Sequence, residues 1–546
     1  MSTIRGVDFG TSTSLLAEAT AFGSEVVPIG RRDPWIPSIV GLQGAQWAVG
    51  DEAADFAEPS LVRSVKRTIT ERREIVQLSD GQRTVFASAD DAICDVLTTI
   101  AVRAAEEGVS ITDGDSIVRL GCPAMWDGAQ RRRLVGLANR AGLPVRNATL
   151  IDEPIAAGVA WVSSRTERIR GKLLIYDMGG GTLDIAVLDV DARPNGPTDI
   201  AVQAADGTAI AGDRVDEALV AVIKAKLRER GFDADGPGYG HELQGWLVRA
   251  AREAKIALTF AQDTSVAVTY PHVVIPTVDV TREEFEGAFE PLLADSVARV
   301  WEVARAALMS QVAVRGGSDS LSPSQARRLG EDSLAAGIDF VLLAGGMSRV
   351  PLVAERLGTI FGHDRIYREE NPEQLIALGL GENRAYESLN LHRPGFDFVL
   401  EWVDDGGTLR QHVAYEAYTP FYDRHQVIHR DSVTYTHRLS GVGLPTSGKG
   451  YLRARSVSGD DLDLMLDGHL VHGIDFDFGP NEKDSVLMLE PNGRVFLRDS
   501  FGRTKELFIE RWPVIKGTGA ESDSITIRST RKTVAPRDWY YDRSGD

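Results

Sequence analysis

An aspartate closes an apolar run, glycine and hydroxyl-bearing residues follow, and a second apolar run begins. The chain does this twice, in Val7-Asp8-Phe9-Gly10-Thr11-Ser12-Thr13-Ser14 and in Leu174-Ile175-Tyr176-Asp177-Met178-Gly179-Gly180-Gly181-Thr182-Leu183-Asp184. Glycine exposes backbone N–H groups that can cradle phosphate oxygens, threonine adds a hydroxyl, and aspartate can hold a divalent cation through water. The elements that must position these groups are β-hairpins, with Leu15-Leu16-Ala17 and Ile185-Ala186-Val187-Leu188 as the returning strands. One glycine-rich hairpin turn is a weak signal. Two of them, facing each other, would grip a nucleoside triphosphate from both sides.

Composition narrows the class. A chain of 546 residues, 43% hydrophobic, is too long for one core and divides into at least two domains. Its formal net charge of −19 argues against nonspecific nucleic-acid binding, which needs a basic footprint. Cys94 and Cys122 are the only cysteines, so neither a disulfide framework nor a cysteine-rich metal site is expected. The start leads straight into a strand, and no apolar run is long enough to span a bilayer. The expectation is a soluble cytoplasmic protein with no membrane partner.

Two regimes follow along the chain. Up to residue 388, short apolar runs alternate with helical patterns at Ala89–Glu107, Gly128–Ala141, Asp213–Arg230, Leu243–Phe260, Arg282–Leu308 and Val350–Phe361, the signature of α/β layers. Val314 to Pro323 reads as a surface loop. Past Arg393-Pro394-Gly395 the period changes. Strand-like runs are expected at Phe396–Val403, Gln411–Tyr418, Gln426–Tyr435, Tyr451–Ser456, Ile474–Phe478, Ser485–Leu489, Arg494–Leu497, Leu507–Trp512 and Ser524–Ser529, with a hairpin turn at Pro491-Asn492-Gly493. Residues 396–546 therefore read as an all-β, sandwich-like or barrel domain.

Further segments complete an ordered set. Leu150-Ile151-Asp152-Glu153-Pro154-Ile155-Ala156-Ala157-Gly158 precedes the second glycine-rich turn; Val341-Leu342-Leu343-Ala344-Gly345-Gly346-Met347-Ser348-Arg349-Val350-Pro351 and Asn371-Pro372-Glu373 follow it. The order resembles the actin-like ATPase superfamily: two phosphate loops, two connecting helices and an adenosine loop. Within that superfamily the chain is similar to DnaK-type (seventy-kilodalton heat-shock) chaperones. Ser64-Val65-Lys66-Arg67, Pro123-Ala124-Met125-Trp126 and Val280-Thr281-Arg282-Glu283-Glu284-Phe285-Glu286 have chaperone-like counterparts at similar spacing. The resemblance covers roughly residues 4 to 388.

The resemblance implies a two-lobed actin-like ATPase domain over residues 1–388, a linker over 389–395 and the β-rich domain over 396–546, with ATP or ADP and Mg²⁺ between the lobes. Asp8 and Asp177 would face the cation through water. Gly10, Thr11, Ser12 and Thr13 would contact phosphate from one side, and Gly179, Gly180, Gly181 and Thr182 from the other, with Gly212 beside them. Asp184, on the same strand face as Thr182, would orient water or metal. Lys66 matches the lysine that places the attacking water and offsets γ-phosphate charge; Glu153 matches the glutamate that senses the γ-phosphate. Read without the resemblance, Lys66-Arg67 is a solvated pair and Glu153 an acid favouring a helix N-terminus. The expected reaction is slow in-line attack of water.

On the base side Lys255, Thr259, Gly345, Gly346, Arg349 and Glu373 match the adenosine set, but with departures. Ile256 replaces a base-stacking cation, Arg252 a ribose-binding acid, Met347 a small hydroxylated residue, and Glu373 an aspartate. The phosphate half of the site is kept and the base half altered. Pro123 and Arg131 match an interdomain switch, though a strand-ending proline and an exposed helical arginine would look the same. The apolar linker and the helical lid that follows the chaperone β-domain are not recognisable, so a dedicated protein partner or client is expected on the β-domain, together with a co-chaperone or nucleotide exchange factor. Two other readings compete: an actin-like filament former and a small-molecule kinase of the same fold. A kinase usually carries a carboxylate base in its substrate cleft, and no segment declares one.

Overall fold

The computed structural model describes residues 3–529 except 57, 80–82, 146–148, 195–197, 237–238, 310–320, 322, 383–388, 391–393, 405, 420–433, 458, 491–492 and 512–523. The expected Val314–Pro323 loop, the strand from Gln426 and the tip of the Pro491-Asn492-Gly493 turn therefore fall wholly or largely outside the described residues.

Two six-stranded sheets of matching plan carry the ATPase-like part. In the first, strands β1 (Ile4–Phe9), β2 (Thr13–Thr20) and β3 (Gly23–Val27) form an antiparallel meander. β4 (Ile117–Cys122) and β5 (Leu150–Asp152) add in parallel on the far side of β1, and Ile36–Pro37 pairs with β2. The second repeats the plan. β6 (Ile169–Met178), β7 (Leu183–Ala192) and β8 (Thr198–Thr208) form the meander, with β9 (Phe340–Ala344) and β10 (Ile366–Arg368) in parallel beyond β6. A sixth strand, β11 (Leu389–Asn390), joins β8 in parallel, so this stretch of the expected linker is paired into the sheet. Near-continuous apolar sequences in β4, β6 and β9 follow from parallel strands covered on both faces.

Helices fill the layers: α1 (Arg67–Thr70), α2 (Ala89–Glu106), α3 (Gly128–Arg140), α4 (Glu153–Ser163), α5 (Gly212–Glu229), α6 (Gly240–Phe260), α7 (Arg282–Met309), α8 (Pro351–Phe361) and α9 (Leu375–Gly381). The six helices that the sequence predicts, α2, α3, α5, α6, α7 and α8, begin and end within a few residues of the expected positions. Their ends are chemically marked. Asp127 caps α3 in a reciprocal box with Gln130, and Pro154 and Pro351 sit in the first turns of α4 and α8. α4 and α9 cross where Gly379 meets the Ala156 backbone, an approach that no side chain at Gly379 could share. Separate cores form behind each sheet: one around Phe9, Leu97 and Trp126, another around Trp161, Ile175 and Leu342.

From Phe396 onward the described chain is β-rich. β12 (Phe396–Val403), β13 (Leu409–Tyr415), β14 (Tyr435–Arg438), β15 (Gly448–Ser456), β16 (Asp461–Leu466), β17 (His469–Val471), β18 (Ile474–Phe478), β19 (Val486–Leu489), β20 (Arg494–Arg498), β21 (Thr504–Arg511) and β22 (Ser524–Ser529) belong to one eleven-stranded sheet. Its path runs β13-β12-β15-β16-β22-β21-β20-β19-β14, with β17 on β16 and β18 on β15. It wraps as a nearly closed, barrel-like sandwich around Phe398, Leu400, Phe476, Leu487 and Ile525. The α/β part followed by a sandwich-like β part is the fold class the sequence predicts.

Candidate nucleotide site

The two glycine-rich turns face each other across the gap between the sheets. Both are antiparallel hairpins, with Phe9 opposite Ser14 and Met178 opposite Leu183. They come so close that a Cβ on Gly180 would strike the Ser12 hydroxyl, and one on Gly181 would lie 2.7 Å from the Thr11 hydroxyl. Gly212 closes the same corner: its N–H donates to the Gly179 carbonyl at 3.1 Å, and the Asp213 N–H donates to that of Gly180 at 2.7 Å. Thus the turns Gly10 to Thr13 and Gly179 to Thr182 come together across the gap.

Beneath these turns lies a charged cluster. Asp8, Lys66, Glu153, Asp177, Thr182 and Asp184 are all buried. Lys66 makes a short ion pair with Glu153, and its ammonium stands 5.7 Å from the centre of the Trp126 ring. Asp184 accepts from the Ala124 N–H at 2.7 Å, tying the second hairpin to the segment after β4. Four carboxylates therefore surround one lysine, and their protonation reflects the surplus of negative charge. Burial, reinforced by Glu153, pushes Asp8 up to about 7; burial and Glu153 push Asp184 up to about 8. Asp177 is raised well above the usual carboxylate range, first by burial and then by Glu153, Asp184 and Asp8. Lys66 is raised as well: burial alone would lower it, but Glu153 and Asp8 outweigh burial and hold it charged.

Such a cluster is short of positive charge. The Asp8 Oδ1 atom is buried with no hydrogen-bond partner, which is the condition of a carboxylate built to meet a hydrated cation. Among the described residues no three ligating side chains converge as a direct metal set. The donors fit a hydrated Mg²⁺ held at second hand, not a closed protein cage.

The residues matched to the base side are tied to one another and to nearby acids. Arg349 forms a forked pair with Glu373, at 2.9 Å to one oxygen and 3.0 Å to the other, and donates to the Glu370 carbonyl. Glu373 therefore fixes the guanidinium plane. Lys255 pairs with the fully buried Asp216 at 2.7 Å and reaches the Gly212 carbonyl. Arg252 bridges Asp213 and Asp216 at 3.2 and 3.1 Å. Thr259 spends its hydroxyl on the Lys255 carbonyl one turn back. Ile256 is 57% exposed, whereas Met347 is buried beside Gly346.

Arg131 is fully buried and is not the exposed helical arginine that its position in α3 permits. It pairs with Asp152 at 2.6 Å, donates to the Pro123 and Ala124 carbonyls, and its guanidinium lies 3.8 Å from the Tyr418 ring centre. Its neighbour Arg132 reaches Asp397 and Glu416 at 3.2 and 2.5 Å. α3 thus touches the β part through two successive arginines, one turn from the strand end that carries Asp152 and Glu153. Trp126, Asp152, Asp213 and Tyr418 carry no role in the sequence reading. Asp152 and Trp126 had a signal, Asp152 standing directly before Glu153 and Trp126 closing Pro123-Ala124-Met125-Trp126, both in segments already singled out.

A family profile described as Hsp70 protein matches residues 4–316, more than half of the chain. The chain belongs to the Hsp70 family. Similar proteins include the chaperone protein HscA homolog of Pseudomonas putida, 29% identical over 391 residues, and chaperone protein HscA of Serratia proteamaculans, 30% identical over 396 residues. Each alignment takes in 68% of this chain and 56% of the relative, so the match spans little more than half of those Hsp70 proteins. No helix among the described residues is long and apolar enough to cross a membrane.

Proposed function

We propose that this Hsp70-family chain is a cytoplasmic, slowly hydrolysing ATP switch of chaperone type, in which the β-rich part engages a protein partner. The observation that carries the reading is the buried Lys66–Glu153 pair set among Asp8, Asp177 and Asp184, under two glycine-rich turns in contact. Asp8 and Asp177 would hold hydrated Mg²⁺; Gly10 to Thr13, Gly179 to Thr182 and Gly212 would hold the phosphates. Gly345, Gly346, Lys255, Thr259 and Arg349, braced by Glu373, would hold the nucleoside. Bound Mg²⁺ would supply charge neutralisation across the phosphates. Lys66 donates a preorganised positive charge to the reacting side, and Glu153 holds it in place and accepts hydrogen bonds from water there. The Thr182 hydroxyl bonds to Asp184, and Asp184 locks the turn by its bond to Ala124.

Domain roles follow: residues 1–388 as the ATPase, 389–395 as the linker and 396–546 as the partner-binding part, served by a co-chaperone or exchange factor. Pro123 and Arg131 couple them, because Arg131 touches both Asp152 and Tyr418. The test is hydrogen exchange with and without Mg-ATP, alongside phosphate release in the absence of any acceptor. Slow release and nucleotide-dependent protection in β12 and β13, lost in Arg131→Ala, support the switch. Identical exchange in both states refutes it.

A further inference from the structure

Among the described residues the β-rich sheet does not close by backbone pairing. β13 and β14 are the two ends of its path, and what joins them is side chains. His412 on β13 and His437 on β14 meet with their Nε2 atoms 2.8 Å apart. The ring centroids are 5.1 Å apart, so the rings point at each other and do not lie one above the other. Beside them the Tyr435 hydroxyl donates to the Ala414 carbonyl at 2.9 Å, and the Tyr435 ring stands edge-on to Tyr415 at 5.0 Å.

Both histidines are half-buried on the core-facing side of their strands. His412 lies opposite Leu400 of β12 and His437 opposite Leu487 of β19, and both leucines are fully buried. The charged neighbours are engaged elsewhere. Arg410 on β13 turns to Asp404, and Glu416 beyond β13 pairs with Arg132. Glu401 of β12 is held by Arg453 and Arg455 of β15. Arg438 follows His437 on the exposed side of β14, and β19 offers Val486, Leu487, Met488 and Leu489, none ionisable. Besides His412, the Tyr435 ring lies beside His437 with centroids 6.5 Å apart, and its hydroxyl is kept protonated by burial.

A head-to-head contact this short admits a proton and no metal. An ion bound in line by two imidazoles at about 2.0–2.1 Å each would hold the nitrogens about 4 Å apart. An N–H···N bond needs one donor and one lone pair, which two neutral rings supply, as does one neutral ring with one charged; two charged rings cannot form it. We propose that His412 and His437 are a proton-operated latch that closes the seam between β13 and β14 and releases it on acidification. The closed pair holds at most one proton beyond its two neutral rings whereas the opened rings hold two, so opening takes up at least one proton. Burial lowers the proton affinity of both rings in the closed form, and His412 lowers that of His437 further. The closed seam is therefore favoured above about pH 6.5 and is lost as pH falls below it. Because β13 runs directly into Glu416 and Tyr418, release would also loosen the contact with Arg131 and Arg132.

The test is hydrogen exchange of the full chain at pH 7.5, 6.5 and 5.5, corrected for intrinsic rates and read over β13 and β14. The opening equilibrium should rise at least about tenfold per pH unit well below about pH 6.5, one proton being taken up on opening the singly charged pair and two on opening the neutral pair. In His412→Gln/His437→Gln, where amides can bridge without titrating, this slope should vanish. A flat wild-type profile, or the same slope in the double variant, overturns the proposal. Nitrogen-15 NMR of the wild-type histidines gives a reading that needs no variant: both rings charged at pH 6 with β13 and β14 still protected overturns it. Protection against acid on adding equimolar Zn²⁺ would also overturn it, in favour of a metal clip.

Discussion

Replacing Lys66 by alanine or methionine separates stability from chemistry. Lys66 is 2% exposed and pairs with Glu153, with Asp8 adding to its stabilisation. Removing it leaves Asp8, Glu153, Asp177 and Asp184 buried together with no lysine among them. Stranding one partner of a buried ion pair costs about 3–5 kcal/mol when the charge remains. Asp8 and Asp184, already raised to about 7 and about 8, relieve part of that cost by holding protons. The loss of unfolding free energy should therefore be smaller at pH 6 than at pH 9. For the reaction, loss of one preorganised donor corresponds to about 10²–10³-fold, or about 2.7–4 kcal/mol. Single-turnover hydrolysis should fall by that factor while Mg-ATP still binds, since the glycine cradle and Asp8 and Asp177 are untouched. Lys66→Met, which keeps the packing against Trp126, should hydrolyse as slowly as Lys66→Ala but unfold at higher denaturant. A single-turnover rate within threefold of wild type in both variants would refute the assignment of Lys66 and the charge argument behind it.

Mg²⁺ affinity should strengthen with pH and level off above about pH 8, because carboxylates raised to about 7 and about 8 hold protons in the empty cluster that the cation must displace. Calorimetry in buffers of different ionisation enthalpy should count the released protons, and Asp8→Asn should release fewer. Gly181→Ala should weaken Mg-ATP binding, since its Cβ meets the Thr11 hydroxyl at 2.7 Å and overpacking costs about 1–3 kcal/mol; unchanged affinity would mean that the two turns do not close on the ligand. With Ile256 in place of a stacking cation worth roughly 0.5–2 kcal/mol, ATP should bind several-fold or more weakly than to family members that keep it, and GTP should compete better. A competition titration showing tight binding with strong ATP preference would contradict the reading of the base side.

Much of this was legible because it is local. The hairpins are written in Asp-Gly and hydroxyl patterns, and β12, β18 and β22 fall on the strand-like runs expected for them, since alternation and turn residues define both ends. β16 and β17 escaped because they lie in a stretch dense in Gly and Asp, Gly459-Asp460-Asp461 to Asp467-Gly468, which reads as turn. β11 is two residues long and owes its pairing to β8, a tertiary partner with no sequence mark. For the candidate site, the ordered motifs and the resemblance they carry supplied the residues, and the fold brings Asp8, Lys66, Glu153, Asp177 and Asp184 into one buried cluster. What the motifs could not give is which charge meets which. The burial of Arg131 depends on Asp152 and on Tyr418, 287 positions further along. Arg252 in place of an acid looks disruptive until Asp213 and Asp216 are seen to receive it.

The central claim is that two aspartates on opposing sheets hold one Mg-nucleotide between them, and calorimetric titration of Mg-ATP into wild type, Asp8→Asn and Asp177→Asn tests it most directly. The account predicts weakened binding in each variant, with a smaller Mg²⁺-dependent part of the affinity, because each loses a carboxylate that offsets cation desolvation. Wild-type affinity and wild-type Mg²⁺ dependence in both variants would contradict it.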